Sequence, residues 1–156
     1  TSQWANDFSD GLCLKAIELV FKYLPRAYAN GPDDAEAREK MHNAATIAGL
    51  GFGNSMAALA HAMGHSLGAL FPVPHGRAVG LFLPYTIEFN FLGEEHTRFA
   101  EIARFLGLPA DDAETGTVSL VDAVRNLARQ LDQPTNLHEA GIDRDQFEAK
   151  LDTSVD

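Results

Sequence analysis

From Ser9 to Leu24 the apolar residues Leu12, Ala16, Leu19, Val20 and Tyr23 recur every three or four positions, the stripe of a helix with one buried face. Pro25 is expected to end or kink that helix, because its ring removes a hydrogen-bond donor and crowds the turn before it. Asn30-Gly31-Pro32 reads as a turn. Asp33 with Glu36 three places on is a start signal of the capping-box type, so a second helix is predicted from there into a long stretch without charge. Within that stretch Gly49, Gly51 and Gly53 either permit close helix approach or break the element, ahead of a third helix that carries His61 and His65.

Phe71-Pro72-Val73-Pro74 cannot continue the third helix, since each proline lacks an N–H and biases the preceding residue to extended geometry. The segment is expected to be a loop presenting His75. Helical periodicity resumes over residues 78–89, with Pro84 inside, then over 94–106 and over 118–131, where Val118, Val121, Val124, Leu127, Ala128 and Leu131 form one stripe. A last short helix starts at Asp143 with Gln146 as its capping partner. No segment alternates with period two between hairpin turns. The predicted fold is all-α, a bundle of about seven helices without internal repeats.

Composition narrows the function classes. At 156 residues and 46% hydrophobic the chain suits one domain, with a core that removes roughly 70% of the unfolded surface from water. A single cysteine, Cys13, excludes an internal disulfide framework and a multi-cysteine zinc cluster, and reads as a small packing residue in a reducing, cytoplasmic setting. Twelve Lys+Arg against 22 Asp+Glu leave a formal charge of -10, which repels phosphate backbones and anionic headgroups, so no nucleic-acid or membrane partner is expected. The 36 residues between Lys40 and Arg77 carry no Asp, Glu, Lys or Arg and are long enough to span a bilayer. Their histidines, asparagines and glycines, and the lack of aromatic and basic flanks, point instead to a buried helical stretch. Gly49, Gly51 and Gly53 lack the spacing and the preceding strand of a dinucleotide fingerprint.

Histidine is where the chemistry concentrates. His61 and His65, four apart, share one helix face, and His75 follows ten residues later. Three neutral nitrogen ligands can meet in that way, with Ala62, Gly64 and Gly68 leaving room for a substrate. The alternative is a pair of imidazoles satisfied by backbone carbonyls. Three histidines alone would suit zinc, whereas iron more often takes two histidines and a carboxylate. No Asp or Glu lies four residues before any histidine, so the ligand set is incomplete or borrows from elsewhere. His42, His96 and His138 read as surface histidines, and Asp111-Asp112-Ala113-Glu114 as a solvated loop without the ligand pattern of a calcium site.

Residues 51–90, centred on His61-Ala62-Met63-Gly64-His65-Ser66-Leu67-Gly68 and Pro74-His75-Gly76, resemble the signature of the iron-containing (group III) alcohol dehydrogenases. Upstream, residues 10–18 and Ala37-Arg38-Glu39-Lys40-Met41 are similar to the helices that precede that signature; downstream, Asn90 and residues 99–107 are similar to those that follow. The resemblance covers essentially the whole chain and implies the helical C-terminal domain of that family, with its dehydroquinate synthase-like fold. Glycerol dehydrogenases and dehydroquinate synthase-like enzymes share such a domain, but the His61, His65 and His75-Gly76 arrangement fits the iron branch better.

The resemblance further implies roles. His61 and His75 would be metal ligands, and His65 would lie near the nicotinamide and substrate as a proton relay or orienting group. Spacing alone would instead pair His61 with His65. The implied metal is Fe2+, with Zn2+ as the alternative, and the implied cofactor is NAD or NADP on a Rossmann-like N-terminal domain. The other two ligands, an Asp and a His, are expected upstream of Thr1, and an Asn-Pro-Arg segment just after Asp156, so the chain is expected to be truncated at both ends and inactive by itself. The implied function is the metal- and catalytic-site half of an enzyme interconverting a small alcohol with an aldehyde or ketone, with homo-oligomerisation open; Phe52, Leu70 and Phe71 are candidates for an apolar wall, against the commoner use of such residues as plain core. Two other classes compete: a stand-alone His-based metal-binding bundle, and a non-catalytic domain that dimerises through its glycine-rich helices.

Overall fold

Asn6 starts the first helix: its side chain accepts a hydrogen bond from the Ser9 amide, and the Ser9 hydroxyl accepts one from the Asn6 amide, each at 3.0 Å. The computed structural model describes residues 2–93 and 98–151, and in it α1 runs Asp7–Asn30. Pro25 does not end α1. An interior proline costs a helix about 3 kcal/mol. Here Leu19 and Tyr23 before it, and Ala27 after it, pack on Ala37 and Ala44 of the next helix, so burial on both sides carries the helix through. The chain reverses at Gly31, whose φ of +54° is in the region that favours glycine.

A short 3-10 turn, Gly31–Asp33, leads to α2, Ala35–Gly53. The cap is Asp34 rather than Asp33: its carboxylate accepts from the Ala37 amide at 3.0 Å. It also receives Arg26 through two nitrogens at 3.0 Å each. The Ala37 amide first, and the Arg26 guanidinium second, hold the Asp34 carboxyl below the usual carboxylate range. Glu36 pairs with Arg26 at 2.9 Å instead of closing a box with Asp33. Of the three clustered glycines, Gly51 marks the close approach, since a Cβ there would lie 2.7 Å from Cys13 Sγ on α1. Cys13 is thus a packing residue, and burial pushes its thiol up. Gly53 ends the helix, and Met56 turns the chain with φ +68°.

The remaining helices are α3 (Leu59–Leu70), α4 (His75–Gly93), α5 (Arg98–Phe105), α6 (Ala113–Gln130) and α7 (Arg144–Leu151). Among the described residues there are seven α-helices and no strand, the all-α bundle expected. His75 is the first residue of α4 and not part of a loop. Pro72 and Pro74 do stop α3, but a proline is compatible with a helix that starts just after it, and the Pro74 carbonyl accepts from the Ala78 amide at 3.0 Å. The first residues predicted for the following helix, with His96, lie outside the described residues. Helix α6 begins earlier than its apolar stripe suggests, because Asp112 caps it by accepting from the Thr115 amide at 2.7 Å. The acidic stretch is therefore a helix start. Val118 faces solvent, because the buried side of α6 runs through Gly116, Thr117, Leu120 and Val121. Asp143 accepts from the Gln146 amide at 2.8 Å, as its spacing predicts.

Three apolar clusters hold these pieces. Leu19, Tyr23, Ala37 and Ala44 join α1 to α2. Ile87, Phe99, Ala103, Leu120 and Val121 join α4, α5 and α6. Leu67, Phe71, Ala78 and Ile142 join α3, the turn after it, α4 and the segment leading to α7. In the second cluster Gly116 carries the contact: a Cβ there would lie 2.5 Å from both Cα and Cβ of Ala100. Gly116→Ala is expected to push α5 off α6 and destabilise the chain by about 1–3 kcal/mol, as overpacking does. Urea unfolding of the variant and parent measures this, and equal midpoints would show that the two helices are not held that closely.

Candidate metal and catalytic site

Helix α3 places His61 and His65 one turn apart, and α4 opens with His75. What brings the two helices together is Gly64. A Cβ at this position would meet Val79 on α4 at 2.6 Å from Cγ2 and 2.9 Å from both the backbone N and Cα. Gly64 therefore makes room for the neighbouring backbone, not for a substrate. Gly68 has ordinary contact with the Val73 carbonyl, and Ala62 is exposed.

The short turn between the helices is held from below. Its Phe71 is buried among Leu67, Ala78 and Ile142, and its ring stacks on Phe147 of α7 with centroids 6.3 Å apart. The Lys150 ammonium lies 4.6 Å from the centre of the same ring. Phe71 is thus core and no part of an apolar wall, and Leu70 packs against the same cluster. Phe52 is different: its ring centre lies 6.1 Å from that of His61, and 49% of the residue is exposed.

The three histidines meet. Ring centres are 6.1 Å apart for His61 and His65, 5.6 Å for His61 and His75, and 5.0 Å for His65 and His75. A nitrogen–metal bond of about 2.1 Å puts an imidazole centre roughly 3.2 Å from its ion, so rings sharing one ion lie within roughly 6.4 Å of each other. Every pair satisfies that limit, and the distances single out no pair. Among the described residues no carbonyl takes a hydrogen bond from any of the three rings, so they are not the backbone-satisfied pair that spacing left open.

His61 is half-buried, while His65 and His75 are exposed. Burial first, and the neighbouring His75 and His65 rings second, hold the His61 imidazole below the ordinary histidine range. The neutral form, which both ligates metals and accepts protons, is therefore favoured at neutral pH. The donors suit iron or zinc, but as a partial set. Among the described residues no group of three or more His, Cys, Asp or Glu is already arranged to hold an ion, and no carboxylate joins the triangle. His42 and His138 are exposed and stand outside it.

Over residues 1–156 the chain matches the C-terminal part of the Fe-containing alcohol dehydrogenase family. It belongs to that family. The aldehyde-alcohol dehydrogenase of Streptococcus pneumoniae is 39% identical over 159 aligned positions, which take in 94% of this chain and 18% of that protein. The NADPH-dependent butanol dehydrogenase of Clostridium saccharobutylicum is 38% identical, over 93% of this chain and 36% of that protein. Among solved structures, the iron-containing alcohol dehydrogenase of Thermococcus thioreducens superposes with a TM-score of 0.85 at 36% identity, covering 99% of this chain and 38% of that one. The chain thus spans well under half the length of these family members.

The contact of Gly64 with α4 is the feature that reading the sequence assigned to the wrong partner. Its only signal in the sequence is a glycine at mid-helix, between two histidines of one face. Gly64→Leu is expected to destabilise the chain by about 1–3 kcal/mol despite leucine's better helix propensity. In a Val79→Ala background the loss should shrink by at least about 0.5 kcal/mol, the coupling seen for residues in contact. A double-mutant cycle in urea measures it, and strict additivity would contradict the contact.

Proposed function

We propose that the 156 residues are the metal- and catalytic-site half of an NAD(P)-dependent alcohol dehydrogenase that interconverts a small alcohol with its aldehyde or ketone. The observation that carries this reading is the meeting of His61, His65 and His75 across the α3–α4 contact, in a chain that belongs to a family of iron-containing alcohol dehydrogenases. His61 and His75 would hold the divalent metal, Fe2+ in preference to Zn2+. Its remaining ligands would come from outside these residues. When bound, such an ion supplies Lewis-acid polarisation of the alcohol oxygen.

The chain's own residues do the rest. His65, exposed and 5.0 Å from His75 between ring centres, takes the hydroxyl proton of the alcohol at a ring nitrogen and releases it to solvent, and returns it in the reductive direction. Its exposure gives the proton a way out. Phe52, standing beside His61, forms the apolar side of the site and keeps water from the carbon that loses hydride. A nicotinamide cofactor, held by a Rossmann-like domain outside these residues, would supply the hydride acceptor. That one relative is named as NADPH-dependent supports the cofactor class and leaves NAD against NADP to experiment. On this reading the 156 residues alone do not turn over alcohol.

In the full-length enzyme, His65→Ala is expected to lower turnover by about 10²–10⁴-fold, the usual worth of a proton-transfer group, with metal content retained. His61→Ala and His75→Ala should lose metal and activity together. Steady-state kinetics beside metal analysis distinguishes these. If His65→Ala loses metal as completely as His75→Ala does, His65 is a ligand and the division of roles fails.

A further inference from the structure

On α1, Lys15, Leu19 and Lys22 fall at intervals of four and three, one face of the helix; on α2, Lys40, Asn43 and Ile47 do the same. The α1–α2 packing sets these two stripes opposite one another across a cleft of about 360 Å³. That is within the range of small-molecule sites, about 300–1,000 Å³. Leu19, Tyr23 and Ile47 supply its apolar lining, while Asn43 and Thr46 add polar groups.

The charge is out of keeping with the chain. The sequence holds four lysines in all, Lys15, Lys22, Lys40 and Lys150, and the first three line this one cleft. In a chain of formal charge -10 the cleft carries three cations against one carboxylate, Glu18. Glu18 is engaged by Lys15 at 2.7 Å. Lys40 has its acidic neighbour, Glu39, at 3.6 Å. Lys22 lies 5.2 Å over the Tyr23 ring, and its charge, after the stronger pull of Lys15, helps hold the Glu18 carboxyl below the usual carboxylate range. Like charges gathered on one face repel, although 22 acidic residues were available to neutralise them.

We propose that the α1–α2 cleft binds a small organic anion, with a phosphate or carboxylate group held by Lys22 and Lys40 and an apolar portion laid against Leu19, Tyr23 and Ile47. The lysine stems lie along apolar surface and leave the ammonium groups at the rim, where the anionic end sits. The Asn43 amide is placed to donate to the same end. The volume favours a compact molecule over a polypeptide segment.

The test is a titration of the ¹⁵N-labelled 156-residue chain with inorganic phosphate, phenyl phosphate and an oligoglutamate peptide, at constant ionic strength. Phenyl phosphate should saturate at roughly millimolar concentration, more tightly than inorganic phosphate, and shift amides around Lys22, Lys40 and Asn43. The double variant Lys22→Gln, Lys40→Gln should raise half-saturation about tenfold, with the far-UV CD spectrum and Tm unchanged. Arg38→Gln, exposed on α2 and outside the cleft lining, should not raise it. Shifts that never saturate, or that persist in the double variant, would overturn the site. Saturation by oligoglutamate alone would give the cleft to an acidic polypeptide and equally overturn the small-anion assignment.

Discussion

The contact between Gly64 and the backbone of Val79 is the constraint on which the candidate site rests. Helix axes with ordinary side chains between them stand 8–10 Å apart, and the missing side chain lets α3 and α4 close beyond what a Cβ would permit. The histidines are short-armed residues: imidazoles on two helices meet only if the helices themselves are near. Because His61 and His65 belong to one helix and His75 opens the next, the α3–α4 separation sets two of the three sides of the triangle. The turn beneath is fixed independently, by Phe71 between the core cluster and the ring of Phe147. Rigid elements and a clamped turn are what a site needs to hold donors within tenths of an ångström of a working geometry.

The triangle is electrostatically prepared but chemically unfinished. Burial and two neighbouring imidazoles favour neutral His61, the form that binds an ion or accepts a proton. Yet the described residues bring no carboxylate to the site. An ion held by imidazoles alone keeps its full double charge, and a negative ligand from elsewhere would lower it and favour iron over zinc. The chain spans 18–38% of the length of the Streptococcus, Clostridium and Thermococcus family members.

Much of this was legible in the sequence. The helical stripes of α1 and α6, the Asp143 cap and the placing of His61 and His65 on one helix follow from spacing. The misreadings share a physical origin, which is that local rules yield to packing. Pro25 sits inside α1 because the residues on both sides are buried against α2. His75 begins a helix because Pro74, read as a breaker, equally suits the position before a helix start. Val118 faces water because α6 turns its small residues, Gly116 and Thr117, to the core. Phe71 was open to a core or a wall reading, and it is core because its side of the turn is the buried side. Gly64 was visible, but not what it faced, since one sequence does not say which helix lies across from a glycine.

The central claim is that α3 and α4 together hold one ion through His61 and His75. Anomalous diffraction from crystals of the full-length enzyme loaded with Zn2+ or Fe2+ tests it most directly, since it places the metal without reference to activity. The account predicts a peak with a nitrogen of His61 and a nitrogen of His75 each at about 2.1 Å, and His65 outside bonding distance. A peak bonded to His61 and His65 but not to His75, or a metal elsewhere in the molecule, would contradict it.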